Sequence, residues 1–384
     1  MATDDDMKPP AARRALAYLH FGDLHVTTEE RQNYRDFVAL IADANERLRG
    51  DVDFAVLPGD NADGGTIPEY RLIGKAIDRL KIPLELRTGD HDRASGSLEN
   101  YRSTLEPTLY RSRAINGYRC VFVNSLDGSR KDEITMGPAQ LEWLRSTFAA
   151  ARRAAEPILL FTHAYPSEFG RAADELISLV ATHRVPLVDM GHTHYNELAN
   201  DGRTIYAATR STGQIEEGPV GFSLTSIDDG VVSWRFKALE ARWPFVLITS
   251  PADRRLISDS ERHDHVVRGC VDIRARVWGA RSEPTVHVAI DDQSPKRMSC
   301  GSAPAEWIAS IDASGLADGI HRVSVSAADR EARDADVIDM LVDRAGRYDR
   351  ANAPPRDKDA AIGAYEAKGI LGTRLGPNEN GHPW

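Results

Sequence analysis

The chain has 384 residues, of which 41% are apolar and 28% charged, and a formal net charge of −10; this excludes a fibrous or largely disordered polymer and disfavours long nucleic acid as a partner. Three cysteines, Cys120, Cys270 and Cys300, show no C-x-x-C spacing, so neither a disulfide framework nor a thiolate metal site is expected, and a reducing compartment suits them. The start, MATDDDMKPPAARR, lacks the apolar stretch of a secretory signal, and no uncharged apolar run reaches the roughly 18 residues of a spanning helix, so a cytoplasmic location without membrane contact is expected.

The length suggests two domains, one of them large. Residues 1–14 are expected to be a flexible N-terminus. From 15 to 245, short apolar runs alternate with amphipathic stretches, the pattern of sheets flanked by helices. The strand candidates are LAYLHF, DFAVLP, IPLELR, YRCVFVNS, PILLFTH, VPLVDM and RTIYAA. A helix is expected from about Glu29 to Arg49, with Phe37, Leu40, Ile41, Ala44 and Leu48 on one face, a Thr27–Glu30 capping box and Gly50 as a stop; a second should follow Pro138 towards Ala155.

Residues 246–262 read as a polar linker, and 263–345 as a small all-β, immunoglobulin-like sandwich built from VDIRARVWG, TVHVAI, HRVSVSAAD and VIDMLV. Residues 346–384 are rich in Pro and Gly. Two readings stand open there: a solvated tail, or a surface strap anchored by Tyr365, Ile370, Leu371, Leu375 and Trp384.

Five motifs fall where an apolar strand ends: Gly22-Asp23-Leu24-His25, Gly59-Asp60-Asn61, Gly89-Asp90-His91-Asp92, Thr162-His163 and Gly191-His192-Thr193-His194. Strand carboxyl ends line the ligand crevice of open α/β sheets, so residues distant in sequence converge there. Carboxylates and neutral imidazoles suit divalent metals, and a preceding glycine lets the chain turn sharply and leaves room beside the backbone. Any one motif alone is ordinary surface or core. Seven metal-type side chains at five strand ends would be a costly burial of charge without a cation.

The ordered set resembles the calcineurin-like metallophosphoesterase superfamily over about residues 15–240, and is most similar to the bacterial branch with class III cyclic nucleotide phosphodiesterases and glycerophosphodiesterases. The resemblance implies a four-layer αββα sandwich. It further implies two metal ions (Mn, Fe or Zn, with trivalent iron allowed at one position). Asp23, His25 and His194 would hold the first, Asp90, His163 and His192 the second, and Asp60 would bridge both. His91 matches the non-ligand histidine that serves the leaving oxygen. The implied activity is hydrolysis of a small organic phosphodiester by a metal-bridging hydroxide; a phosphomonoesterase of the same fold or a metal-bound interaction module are the alternatives.

The chain departs from the family at Asp90, where the motif has asparagine. The third carboxylate is expected to tighten metal binding or favour a trivalent ion, and Asn61 to supply the missing amide donor to phosphate. Asp63 stands where purple acid phosphatases have their tyrosine. Arg93, Tyr165 and Arg210 are further candidates for substrate contact, and Arg210–Gln214 for the specificity loop. His183 reads as a helix-end residue, His263 and His265 at most as a surface metal scavenging pair, and Trp278 and Trp307 as sandwich packing. The sandwich is expected to serve as an oligomer interface before a lid.

Overall fold

The computed structural model describes residues 13–94, 96–127, 133–214, 218–346 and the pair 372–373. The first helix shows how the pattern becomes structure. α1 (Gln32–Arg47) buries Tyr34, Phe37, Leu40, Ile41 and Ala44, a stripe at three- and four-residue spacing. It begins later than the sequence suggests: its N-cap is Arg31, without a side-chain cap, so the Thr27–Glu30 box does not form. The later start puts the Asn33 amide where it donates to the carbonyls of Leu24 (2.9 Å) and His25 (2.7 Å), tying the helix to the loop that carries His25. A capping box does form at Thr66 and Glu69, opening the helix Ile67–Ile77.

Two mixed sheets face each other. The first has the order β11-β10-β1-β2-β3 and the second β20-β8-β9-β7-β6-β5-β4. In chain order these strands are β1 (Ala15–His20), β2 (Phe54–Leu57), β3 (Leu84–Leu86), β4 (Arg111–Ile115), β5 (Tyr118–Phe122), β6 (Ile158–Phe161), β7 (Leu187–Met190), β8 (Glu197–Asn200), β9 (Ile205–Ala208), β10 (Gly221–Asp228) and β11 (Val231–Ala238), with β20 at Gly372–Thr373. β1–β2–β3 and β5–β6–β7–β9 run parallel, and the flanking strands antiparallel. Side chains alternate across each strand. Leu16 and Tyr18 of β1 meet Leu159, Phe161 and Leu187 of the second sheet in one apolar layer, while Ala17 and Leu19 face α1. The helices Pro138–Arg153 and Ala173–Thr182 cover the outside of the second sheet. The result is the expected four-layer αββα sandwich.

A β-sandwich follows, with sheets β12-β13-β17-β16 and β15-β14-β18-β19, all antiparallel. Its strands are β12 (Phe245–Ser250), β13 (Cys270–Trp278), β14 (Thr285–Ile290), β15 (Lys296–Arg297), β16 (Ser299–Cys300), β17 (Glu306–Asp312), β18 (Gly319–Ala328) and β19 (Arg333–Val342). The segment expected to be a linker from residue 246 therefore starts inside a strand: FVLITS buries every residue and pairs with β13. β12 lies at a sheet edge, and there the carboxylates of Asp334 and Asp336 accept the N–H groups of Val246 and Ile248, both at 2.8 Å.

Trp278 does more than pack the sandwich. Wholly buried, it stacks on Phe245 and joins the core under α1, with its indole N–H 3.4 Å from the Asp51 carbonyl. Nearby, Arg13 grips Asp228 through two 2.6 Å bonds, and Arg274 reaches the same carboxylate at 2.7 Å. Arg13 also pairs with Glu306 of β17. Of residues 347–384 only β20 is described, paired with Leu198 and Ala199 of β8; the five proposed strap anchors lie outside the described residues, as do residues 1–12. No described helix is long and apolar enough to cross a membrane.

Asp228 is 1% exposed and balances two arginines across the domain junction. Asp228→Ala leaves Arg13 with Glu306 alone and takes the 2.7 Å partner from Arg274, so we expect a loss of up to about 3–5 kcal/mol, the usual cost of breaking a buried pair from one side, read as a lowered midpoint in thermal or urea unfolding.

Candidate metal centre

All five motifs meet at the carboxyl ends of the parallel strands. Asp23 and His25 follow β1, Asp60 follows β2, the turn Asp90–Asp92 follows β3, His163 follows β6, and His192 and His194 follow β7. Gly59 and Gly89 show why glycine precedes the ligand-type residues. Gly59 has φ +130°, and a Cβ there would fall 2.5 Å from His163 Nδ1; a Cβ on Gly89 would strike Asp60 Oδ1.

The side chains form two groups that share Asp60. In one, Asp23, His25, Asp60 and His194 each offer one donor atom, all within 4.8 Å of one another; in the other, Asp60, Asp90, His163 and His192 do the same. In the first, His25 Nε2 is 3.1 Å from His194 Nε2 and 3.7 Å from Asp60 Oδ2. In the second, Asp90 Oδ1 is 3.2 Å from both His163 Nε2 and His192 Nδ1. Mixed carboxylate and imidazole donors suit manganese, iron or zinc. Asp23 Oδ1 is buried with no hydrogen-bond partner among the described residues, an orphan that a cation would satisfy. The residues present thus fit a pair of metal ions.

The backbone carries strain to achieve this. His25 (φ 44°), Asp60 (φ 47°), His192 (φ 67°) and His194 (φ 62°) all adopt the left-handed conformation that costs a side-chain-bearing residue about 1–2 kcal/mol. Main-chain bonds hold them there: the Asp60 carbonyl accepts from Leu24 N and His25 N, Asp60 Oδ1 from His91 N, and Asp23 Oδ2 from His192 N. Beneath them Asp92, wholly buried, accepts from Gly89 N, Ala62 N, both donors of Asn61 and the Tyr70 hydroxyl. Burial and the nearby Asp60 push its carboxyl up to about 6 against these donors.

The protons of the site follow its crowding. Burial opposes charge on His163 and Asp60, yet each holds the other ionised, so the imidazole sits well above its usual range and the carboxyl below. Asp90 is likewise held far down, against its own burial, by His163 and His192. His25 goes the other way, lowered by burial. His91, partly buried, is raised by Asp60 together with the Asp63 carbonyl and the charges of Asp90 and Asp63.

Exposure is graded: Asp23, Asp60 and His163 form a floor at 0–2% side-chain exposure, while Asp90 (25%), His192 (32%) and His91 (36%) form the rim. Two further residues reach the rim, of which Asp63 escaped the sequence reading and Gln214 belongs to the expected specificity loop. Asp63, considered only as a missing tyrosine, puts Oδ1 3.5 Å from His25 Nδ1 and 3.6 Å from His91 Nδ1, and its carbonyl 2.9 Å from His91 Nδ1. Gln214, at the end of the expected specificity loop, sets its amide nitrogen 3.1 Å from His25 Nδ1.

The four candidate substrate contacts fare differently. Asn61 is buried, with its amide spent on the Arg87 carbonyl (2.7 Å) and Asp92 (2.8 Å), so it does not replace the donor lost at Asp90. Tyr165 is a core residue whose hydroxyl donates to Glu197 at 2.8 Å. Arg210 lies buried over the Phe236 ring at 4.2 Å, a structural cation–π contact rather than a phosphate clamp. Arg93 is 4% exposed. His183 caps a helix end beside Phe148. His263 and His265 join no metal-type group among the described residues, because His265 is buried, its pKa pulled down to about 4 by burial, while His263 is exposed. A cavity of about 480 Å³ beside His265, Arg184 and Arg203 lies at the opposite strand ends and contains none of the metal-type residues.

Residues 16–196 match the calcineurin-like phosphoesterase family. The chain carries a calcineurin-like phosphoesterase domain. The match ends just past His194 and takes in all seven metal-type residues, leaving the β-sandwich outside. A protein of Fibrobacter succinogenes described as a probable cyclic nucleotide phosphodiesterase is 23% identical over 235 residues, covering 56% of this chain and 87% of that one. Among solved structures, GAP50, the anchor in the inner membrane complex of Plasmodium, covers 59% of this chain and 85% of its own at 13% identity and a TM-score of 0.44. A predicted phosphoesterase from Streptococcus pneumoniae covers 59% and 92% at 12% identity and a TM-score of 0.34.

Asp60 is the one residue common to both four-residue groups of the phosphoesterase domain. Elemental analysis should therefore find Asp60→Ala depleted of both metals and His194→Ala depleted of one; equal depletion in the two variants would contradict the shared geometry.

Proposed function

We propose that this protein hydrolyses a small organic phosphodiester, of cyclic nucleotide or glycerophosphodiester type, at a centre of two divalent metal ions. One observation carries the reading: two donor groups sharing Asp60, with a further histidine, His91, outside both at their exposed rim. Bound there, a pair of divalent ions supplies Lewis acidity to phosphoryl oxygens and lowers the pKa of water. Asp23, His25 and His194 hold the first ion, Asp90, His163 and His192 the second, and Asp60 both.

The remaining chemistry falls to the protein. Nδ1–H of His91 donates to the Asp63 carbonyl, which turns Nε2 away from that carbonyl. The surrounding carboxylates favour the imidazolium. Nε2–H is then the proton donor to the departing alkoxide, a role worth about 10²–10⁴-fold in rate. The rim stays open enough for a small ester, and the net charge of −10 disfavours a long polyanion. The named Fibrobacter relative supports the diester preference. A monoesterase of the same fold is the nearest alternative.

Three measurements test this. The metal-loaded protein should cleave bis-p-nitrophenyl phosphate in preference to the monoester; preference for the monoester would reverse the assignment. His91→Ala should keep its metals and lose about 10²–10⁴-fold in kcat, most for poor leaving groups. Asp90→Asn should shift metal affinity and the pH optimum, since it removes one of three carboxylates facing the ions.

A further inference from the structure

Behind the metal-type residues the two sheets meet through an almost wholly apolar layer. Apolar contact sets the spacing between sheets but is non-directional, so it leaves their sliding register poorly specified. Polar ties interrupt it in several places: Glu85 of β3 takes Arg111 and Arg113 of β4 at one border, Thr209 Oγ1 stands 2.6 Å from Ser223 Oγ of β10, and a third cluster lies between β1 and β7. Tyr18 and His20 alternate along β1, and Asp189 lies on β7; all three are at most 1% exposed. The Tyr18 hydroxyl donates to Asp189 Oδ2 at 2.6 Å, and His20 Nε2 stands 3.0 Å from Asp189 Oδ1, with its ring N–H out of line with that oxygen. Gly22 N donates to His20 Nδ1 at 3.3 Å, so in the neutral ring the proton sits on Nε2, close to the carboxylate without a hydrogen bond to it.

The geometry points to a positioning role for this cluster: Tyr18, His20 and Asp189 clasp β1 to β7 and so fix Asp23 and His25 relative to His194. The chain path supports it. Three residues past His20 comes Asp23, and three and five past Asp189 come His192 of the second group and His194 of the first, so the clasp lies one short turn behind three donors of the first group and one of the second. The second group has its own tie, His163 Nδ1 at 3.3 Å from the Pro58 carbonyl, linking the tips of β6 and β2. A buried carboxylate among aromatic and aliphatic side chains is poor value as a source of stability, whereas as a register device it acts on a separation that the metals read directly.

The inference rests on the two-metal reading, so the test begins with the wild type. Mn²⁺ is titrated calorimetrically into chelator-stripped full-length protein; binding of fewer than two equivalents would sink that reading itself. Asp90→Ala, which keeps only the first group intact, identifies the binding step that belongs to it. Two variants then probe the clasp. Tyr18→Phe/His20→Leu/Asp189→Val replaces the polar cluster by apolar groups, and Asp189→Asn preserves shape. The first group, with three donors past the clasp, should lose about 10–100-fold in Mn²⁺ affinity, the usual effect of removing an outer support, and the second, with only His192 past it, should lose less than the first. In chelator, the unfolding midpoint of the triple variant should match or exceed that of the wild type. Wild-type affinity in both steps, or equal loss in both with a lowered midpoint, would overturn the proposal. Should the triple variant not fold, Asp189→Asn decides by the same two affinities.

Discussion

Three carboxylates and four imidazoles gathered within a few ångströms are the constraint around which the chain is built. Without cations the carboxylates of such a cluster repel one another unless imidazoles take up protons beside them, as His163 does beside Asp60. The fold holds it together by force: four of the seven residues sit in left-handed backbone, and main-chain donors from neighbouring loops pin the carboxylates. Strain of this kind persists only where the surroundings over-determine it. Asp92 shows the depth of that support, since it gathers five donors beneath the site while touching nothing that reacts.

Much of this was legible in the sequence because it rests on local signals. A glycine, a metal-type residue and a preceding apolar run mark a strand tip, and the seven residues picked that way do converge. What was not legible depends on tertiary facing. Arg210 and Tyr165 lie next to the right strands, yet their side chains turn into the core, to Phe236 and Glu197, because both stand past the strand ends Ala208 and Phe161, where strand alternation no longer sets the facing. Asn61 neighbours Asp60, the aspartate common to both groups, and likewise faces inward. Asp63 and Gln214 carry no motif; only the turn after β2 and the loop after β9 bring them to His25. β12 was missed because Pro244 and Pro251 bracket a short apolar run that reads as a connection.

The sandwich is bound firmly, and away from the crevice. Asp228 pairs with Ala15 at the start of β1, and Asp51 precedes β2, whereas the metal-type residues follow the far ends of the same strands. Arg13, Arg274 and Trp278 therefore couple the second domain to the base of the first. This placement fits a brace better than a cover over the rim.

One detail of that brace bears on self-association. An outer strand ordinarily offers a row of free amides onto which a neighbouring molecule can stitch its own backbone. In β12 the amides of Val246 and Ile248 are already taken by Asp334 and Asp336. An incoming chain at that border would find two half-buried acids in place of open donors, so growth of ribbons from this side of the protein is blocked by its own side chains.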